Sequence, residues 1–230
     1  MDPRRALAPV APGAASPGSA LAGELEAALA EEMRRVHGAH TVILYGSRAR
    51  GDATPESDVD VVTFADVSRT LRDARLWSGL YLDAFVHPTA LAGETDADML
   101  KLLGGRVLAD ERQLAGPLLE RLTLLERQGP PPLPEDDRRM RRVWARKTLA
   151  RIGRGDLEAW YRHHGLLHQL LEDTFALRGQ WYPGAKLAFE RLRSEAPETY
   201  RAFEHALAPP ASVEALAALV AHLETLFADA

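Results

Sequence analysis

Two apolar runs flank one charged, glycine-rich loop, and this arrangement constrains the fold more than any other stretch of the chain. Residues 41–45, Thr-Val-Ile-Leu-Tyr, are short, apolar and β-prone, which predicts a buried strand. Gly46-Ser47-Arg48-Ala49-Arg50-Gly51-Asp52 follows at once and cannot extend that strand. A second apolar run, 59–64, opens after Ser57-Asp58 and carries Asp60. Side chains alternate along a strand, so a strand over 58–64 puts Asp58 and Asp60 on one face. Two acids on one face repel and cost free energy unless positive charge stands between them. A divalent cation answers that need, and ligands made only of oxygen favour Mg²⁺ over zinc.

The surrounding chain reads as two regions. Residues 21–36 have apolar residues at helical spacing and are expected to form an amphipathic helix ending near Gly38. After the 58–64 strand, a short helix is expected over 67–77 and a third strand over 80–87. Thr95-x-x-Asp98 resembles a capping box for a short helix to Leu103. An edge strand over 106–109 and a helix over 114–127 complete a domain at 21–128. Gly129-Pro130-Pro131-Pro132-Leu133-Pro134 then interrupts the helical pattern, so 129–135 is expected to be a linker. Beyond it, 136–230 reads as helix throughout, in segments near 136–153, 156–178, 184–193, 196–206 and 212–228. The fold class expected is an α/β head, a small mixed sheet with flanking helices, followed by an all-α helical bundle.

Composition narrows the setting. The chain has no cysteine, which excludes disulfides and thiolate metal sites and fits a cytoplasmic location. No apolar run approaches the roughly 20 residues of a membrane span. Residues 1–20, rich in Pro, Ala, Gly and Ser, are expected to be a disordered tail. The net charge of -5 argues against a dedicated nucleic-acid binder, although residues 138–154 hold eight Lys or Arg and no acid. Such a run binds phosphate or RNA, or forms the polar face of a helix balanced by acids elsewhere; the second reading is preferred.

Gly46-Ser47, Arg50-Gly51 and Asp58-x-Asp60, in that order, resemble the signature of the DNA polymerase β superfamily of nucleotidyltransferases. The likeness is closest to its minimal branch, which includes antibiotic-modifying adenylyltransferases. The resemblance implies a third carboxylate on a later strand, and Asp83 in Leu80-Tyr81-Leu82-Asp83-Ala84-Phe85-Val86 supplies it. It implies a polymerase β-like head and transfer of a nucleoside monophosphate from ATP to an acceptor hydroxyl, with release of pyrophosphate. Asp58, Asp60 and Asp83 would hold two Mg²⁺ ions, with Asp83 the natural general base. Gly46 would let the backbone approach a phosphate and Ser47 would offer its hydroxyl and amide. Arg50 would support the site. Arg48 is divided evenly between a role there and simple solvation.

Trp181-Tyr182-Pro183-Gly184-Ala185-Lys186 is similar to a tail segment of antibiotic nucleotidyltransferases, which implies that Lys186 reaches the nucleotide phosphates. Arg162-His163-His164-Gly165-Leu166-Leu167-His168 resembles the Arg-to-His motif of HEPN domains. A regular helix sets Arg162 and His168 about 120° apart, so joint action asks for a kink at Gly165 or a homodimer partner. Two alternatives therefore stand beside the enzyme: a fused antitoxin–toxin module with an RNA-cleaving tail, and a non-catalytic nucleotide sensor. The acceptor stays open among a small molecule, a protein hydroxyl and an RNA end.

Overall fold

The structure is a computed structural model and describes residues 19–229. Most of the expected disordered tail, 1–18, lies outside them. The described chain divides by its contacts into two compact units, between Leu122 and Thr123. No described helix is long and apolar enough to cross a membrane.

The first unit is built on a five-stranded mixed sheet in the order β3-β4-β2-β1-β5. Helix α1, Ser19–His37, leads through Gly38 (φ +65) into β1, Thr41–Tyr45. A single short helix, α2 (Gly46–Arg50), occupies the glycine loop and is followed by β2, Val59–Ala65. Strands β1 and β2 run antiparallel, whereas β2 and β4 (Leu80–Pro88) run parallel. Strand β5, Arg106–Asp110, pairs antiparallel with β1 at the edge of the sheet.

Alternation of side chains gives the sheet two apolar faces. Val42, Leu44, Val59, Val61, Leu82 and Ala84 bury one face against Leu29 and Met33 of α1. The other face carries Ile43, Val62 and Phe64. It is covered by Met99 and Leu102 of a 3₁₀ helix, Ala97–Leu102, and by Ala115, Leu118 and Leu122 of α3, Ala115–Gln128. Burying one such side chain fully contributes about 1.5–3 kcal/mol.

Two expectations are corrected here. Residues 71–77 form a strand, β3 (Leu71–Trp77), and not a helix. Ser78 (φ +49) and Gly79 (φ +78) both take left-handed backbone, the geometry of a two-residue hairpin turn, and fold β3 antiparallel onto β4. The cap of the 3₁₀ helix is Asp96 rather than Thr95: its Oδ1 accepts the Asp98 N–H at 2.9 Å.

In the second unit α4 (Glu135–Ile152), α5 (Leu157–Leu177), α6 (Ala185–Glu195), α7 (Pro197–Leu207) and α8 (Val213–Asp229) enclose a core that includes Leu166, Leu170, Phe175, Phe203, Leu216 and Leu219. The basic run lies on α4, and several of its arginines meet acids. Arg139 pairs with Asp136 at 2.8 Å, Arg146 Nη2 donates to Glu224 at 2.8 Å, and Arg141 pairs with the buried Asp173. This is the balanced polar face that the sequence favoured.

Asp110 joins three elements of the first unit. Its carboxylate accepts the Thr41 hydroxyl of β1 at 3.0 Å and the backbone N–H groups of Leu114 and Ala115, at 2.9 and 3.0 Å, where α3 begins. Hydrogen bonds to a charged group are each worth about 1.5–3 kcal/mol. Asp110→Ala is therefore expected to lower the thermal unfolding midpoint of the first unit, by an amount equivalent to about 2 kcal/mol or more, in a calorimetric scan.

Candidate active site

The site is assembled where β1 ends. Tyr45 is the last residue of β1, and Gly46 turns the chain into α2 with φ +74. Glycine is required there twice over. The left-handed backbone disfavours a side chain, and a Cβ on residue 46 would stand 2.3 Å from Asp60 Oδ2. The backbone at Gly46 and the Asp60 carboxylate are thus packed directly against each other.

Helix α2 ends at Gly51 (φ +85), whose N–H returns to the Ser47 carbonyl at 2.9 Å. Arg48 then ties the loop down. Its Nη2 donates to the Ser57 carbonyl at 2.6 Å, and its Nε lies 3.1 Å from the carbonyls of Ser57 and Asp58. Ser57 Oγ accepts the Thr54 N–H at 2.8 Å. Arg48 is therefore a clasp between α2 and the start of β2.

Sheet register brings the acids together. Asp60 of β2 stands opposite Tyr45 of β1 on one side and opposite Asp83 of β4 on the other. Adjacent strands lie about 4.8 Å apart, so side chains in register on one face are neighbours. Asp58 is exposed, one residue before β2 begins. The carboxyl of Asp60 is pushed above the usual carboxylate range, first by burial and then by the charges of Asp58 and Asp83; Lys101 and Arg50 oppose the rise. Burial and the charges of Asp60 and Asp83 push the Tyr45 hydroxyl upward as well.

Two cations border the acids that sequence reasoning did not single out. Arg72 of β3 holds Asp83 through both oxygens: Nε to Oδ1 at 2.8 Å and Nη2 to Oδ2 at 2.9 Å. Its guanidinium carbon also lies 5.3 Å from the centre of the Phe85 ring. Lys101 places its ammonium 4.3 Å from the Phe85 ring centre and 5.3 Å from that of Tyr45. Desolvation there holds Lys101 below the ordinary lysine value, against the pull of Asp98, Asp83 and Asp60. Reading 71–77 as a helix hid Arg72, because a helix assigns it no fixed relation to Asp83. The Ser78-Gly79 turn is the signal that would have revealed it.

Of the expected site residues, the first unit thus gathers Gly46, Asp60 and Asp83, with Asp58 adjoining. Ser47 lies on α2, and so does Arg50, whose Nε is 3.5 Å from Asp52. Lys186 belongs to the second unit, exposed on the first turn of α6. In the same unit Arg162 is paired with Glu158 and His168 with Glu172 (3.4 Å), both along an α5 that continues unbroken through Gly165. An open cavity of about 680 Å³ is also in the second unit, lined by Met140, Val143, Trp144, Lys147 and Asp173 among others, and includes none of the three acids.

The donor set is made of carboxylate oxygens alone, and the strained ionisation of Asp60 asks for positive charge, so the chemistry fits a hard divalent cation. Among the described residues, however, no three acids, histidines or cysteines are gathered as a ready metal cluster. Asp83 has both of its oxygens committed to Arg72.

Comparison with known proteins agrees with this geometry over one part of the chain. Residues 27–99 match the family described as the nucleotidyltransferase domain, a stretch that runs from α1 through the three acids to the 3₁₀ helix. No curated protein matches the sequence. Among solved structures, that of a nucleotidyltransferase-like protein from Exiguobacterium sibiricum 255-15 is 15% identical, covers 90% of this chain and 74% of its own, and superposes with a TM-score of 0.41.

The raised carboxyl of Asp60 sets a pH dependence. Below the ordinary carboxylate value of about 3.9 the group is protonated folded and unfolded alike and costs nothing. As pH rises from there through the higher folded value, the charged form is penalised only in the folded chain. Asp60→Asn is therefore expected to raise the urea midpoint of the metal-free protein at pH 7. That gain should shrink towards zero as pH falls below 4, measured against the native chain at each pH.

Proposed function

We propose that the first unit transfers a nucleoside monophosphate from a nucleoside triphosphate to an acceptor hydroxyl. The acceptor oxygen bonds to the α-phosphorus, the bond from that phosphorus to the bridging oxygen breaks, and pyrophosphate leaves with the electron pair. The observation that carries this reading is the register of Asp60 with Asp83, with Asp60 packed against the Gly46 backbone. The family match over 27–99 supports it. Transfer of AMP from ATP is the specific form taken from the resemblance to antibiotic adenylyltransferases.

Phosphoryl-group chemistry depends on positioning and charge neutralisation more than on covalent help. Asp58 and Asp60 would hold a divalent cation, Mg²⁺ by donor type, and Asp83 would join a second. Such ions, when bound, neutralise the triphosphate and the developing charge on the entering and leaving oxygens. Gly46, with no side chain, would let the backbone approach a phosphate. Arg48 keeps the loop shaped by holding the Ser57 and Asp58 carbonyls. Arg50 and Lys101 add positive charge beside the acids. Asp83, once released from Arg72, would take the proton of the acceptor hydroxyl.

The acceptor is a hydroxyl of a small molecule, a protein or an RNA end. The test is a transfer assay on the full chain. ATP, CTP, GTP and UTP, each labelled at the α-phosphate, are offered with Mg²⁺ and separate panels of aminoglycosides, lincosamides, proteins and RNA. Label is expected to move from ATP to one acceptor class with equal release of pyrophosphate. Excess chelator should stop transfer, and Asp60→Asn should lower it on the order of 10²-fold or more. Transfer that survives the chelator, or label appearing only as shortened RNA, contradicts the reading. Lys186 enters through the tail resemblance alone. Lys186→Ala is expected to weaken ATP binding with the fold intact, and an unchanged dissociation constant removes it from the site.

A further inference from the structure

We infer that Arg72 is the resident counter-cation of the third carboxylate, and that it competes with a divalent cation for Asp83. The inference rests on the metal-binding role proposed for the acids.

Asp83 and Asp60 are neighbours in register, and Asp58 adjoins them. A cluster of three like charges folds only with positive charge close by. Arg72 supplies it directly. Its fork meets both oxygens of Asp83 in two parallel bonds of 2.8 and 2.9 Å, the geometry in which guanidinium binds carboxylate most tightly. Lys101 stays over the aromatic rings, so its charge acts without replacing that contact.

The same bonds take one lone-pair site on each Asp83 oxygen, and the guanidinium charge opposes a second cation at the sites that remain. The two partners differ in freedom. The Arg72 side chain is 62% exposed and springs from an edge strand, whereas that of Asp83 is 21% exposed on a strand paired on both sides. Arg72 can therefore swing into solvent while Asp83 stays in place. A divalent cation held by Asp60 and Asp83 would bring twice the charge of the guanidinium and would compete with it for Asp83. Arg72 thus acts through Asp83, as a positioning residue that gates its entry into the metal shell.

The test uses Mn²⁺ alone, without nucleotide, titrated into the full chain and followed by electron paramagnetic resonance of the free ion. The native chain is expected to bind Mn²⁺, and Arg72→Gln should bind it about tenfold more tightly, the effect of removing one competing charge beside a ligand. Arg72→Lys keeps the charge and should lie between the two. In an Asp83→Asn background the gain from Arg72→Gln should vanish. A purely structural Arg72 would lower the melting temperature without tightening Mn²⁺ binding. An unchanged or weaker affinity in Arg72→Gln, or a gain that persists in Asp83→Asn, overturns the inference while leaving the metal-binding reading in place. A native chain that binds no Mn²⁺ at millimolar concentration overturns both. A second measurement needs no variant: the Arg72 Nε–H resonance should shift as Mg²⁺ is added to the native chain, and a resonance that does not move contradicts the exchange.

Discussion

The repulsion among three carboxylates at one end of a sheet is the constraint to which the rest of the first unit responds. Asp60 stands beside Asp83 because β2 and β4 run parallel and in register, and Asp58 adds its charge from the residue before β2. Burial and these neighbours make Asp60 harder to ionise. Each surrounding feature answers that cost. Gly46 has no side chain to collide with the Asp60 carboxylate, Arg48 holds the loop that presents Asp58, and Arg72 neutralises Asp83. An arrangement that costs stability while its neighbours are fitted to preserve it is characteristic of a functional site.

The fold makes that crowding affordable. Apolar residues on both faces of β1 and β2 bury the strands against α1 on one side and α3 with the 3₁₀ helix on the other. The backbone under the acids is thereby held rigid, and a rigid backbone keeps like charges from separating. At the same time β3 is an edge strand with an exposed Arg72, so the direct counter-charge of Asp83 stands at a margin of the sheet. Asp60 and Asp83 are on paired strands, whereas Arg72 reaches Asp83 from the edge with most of its side chain in solvent.

Much of this was legible from residue patterns. The apolar run at 41–45, the turn-forming loop and the run beginning at 59 placed β1, the glycine loop and β2, because period-two burial and glycine punctuation are local signals. The head-then-bundle order followed from the shift to helical periodicity after the prolines at 130–134. What failed was β3. Two parallel strands need a crossover, commonly a helix, and Leu71-Arg72-Asp73-Ala74-Arg75-Leu76 contains good helix formers. Here a strand makes the crossover and joins the sheet itself, a choice decided by pairing with β4 and by the Ser78-Gly79 turn. That one error hid Arg72, since its meeting with Asp83 depends on cross-strand pairing rather than on spacing along the chain. Lys101 was missed because it meets Tyr45 and Phe85 by packing of the 3₁₀ helix on the sheet, which spacing along the chain does not show.

The central claim is that the acids beside Gly46 form a divalent-cation site for a triphosphate. Anomalous scattering from crystals of the full chain grown with Mn²⁺ and a non-hydrolysable ATP analogue tests it most directly. The account predicts manganese density between the carboxylates of Asp58 and Asp60, with the triphosphate lying along Gly46 and Ser47. A triphosphate bound with no manganese at these carboxylates, or manganese held only by other residues, would contradict it.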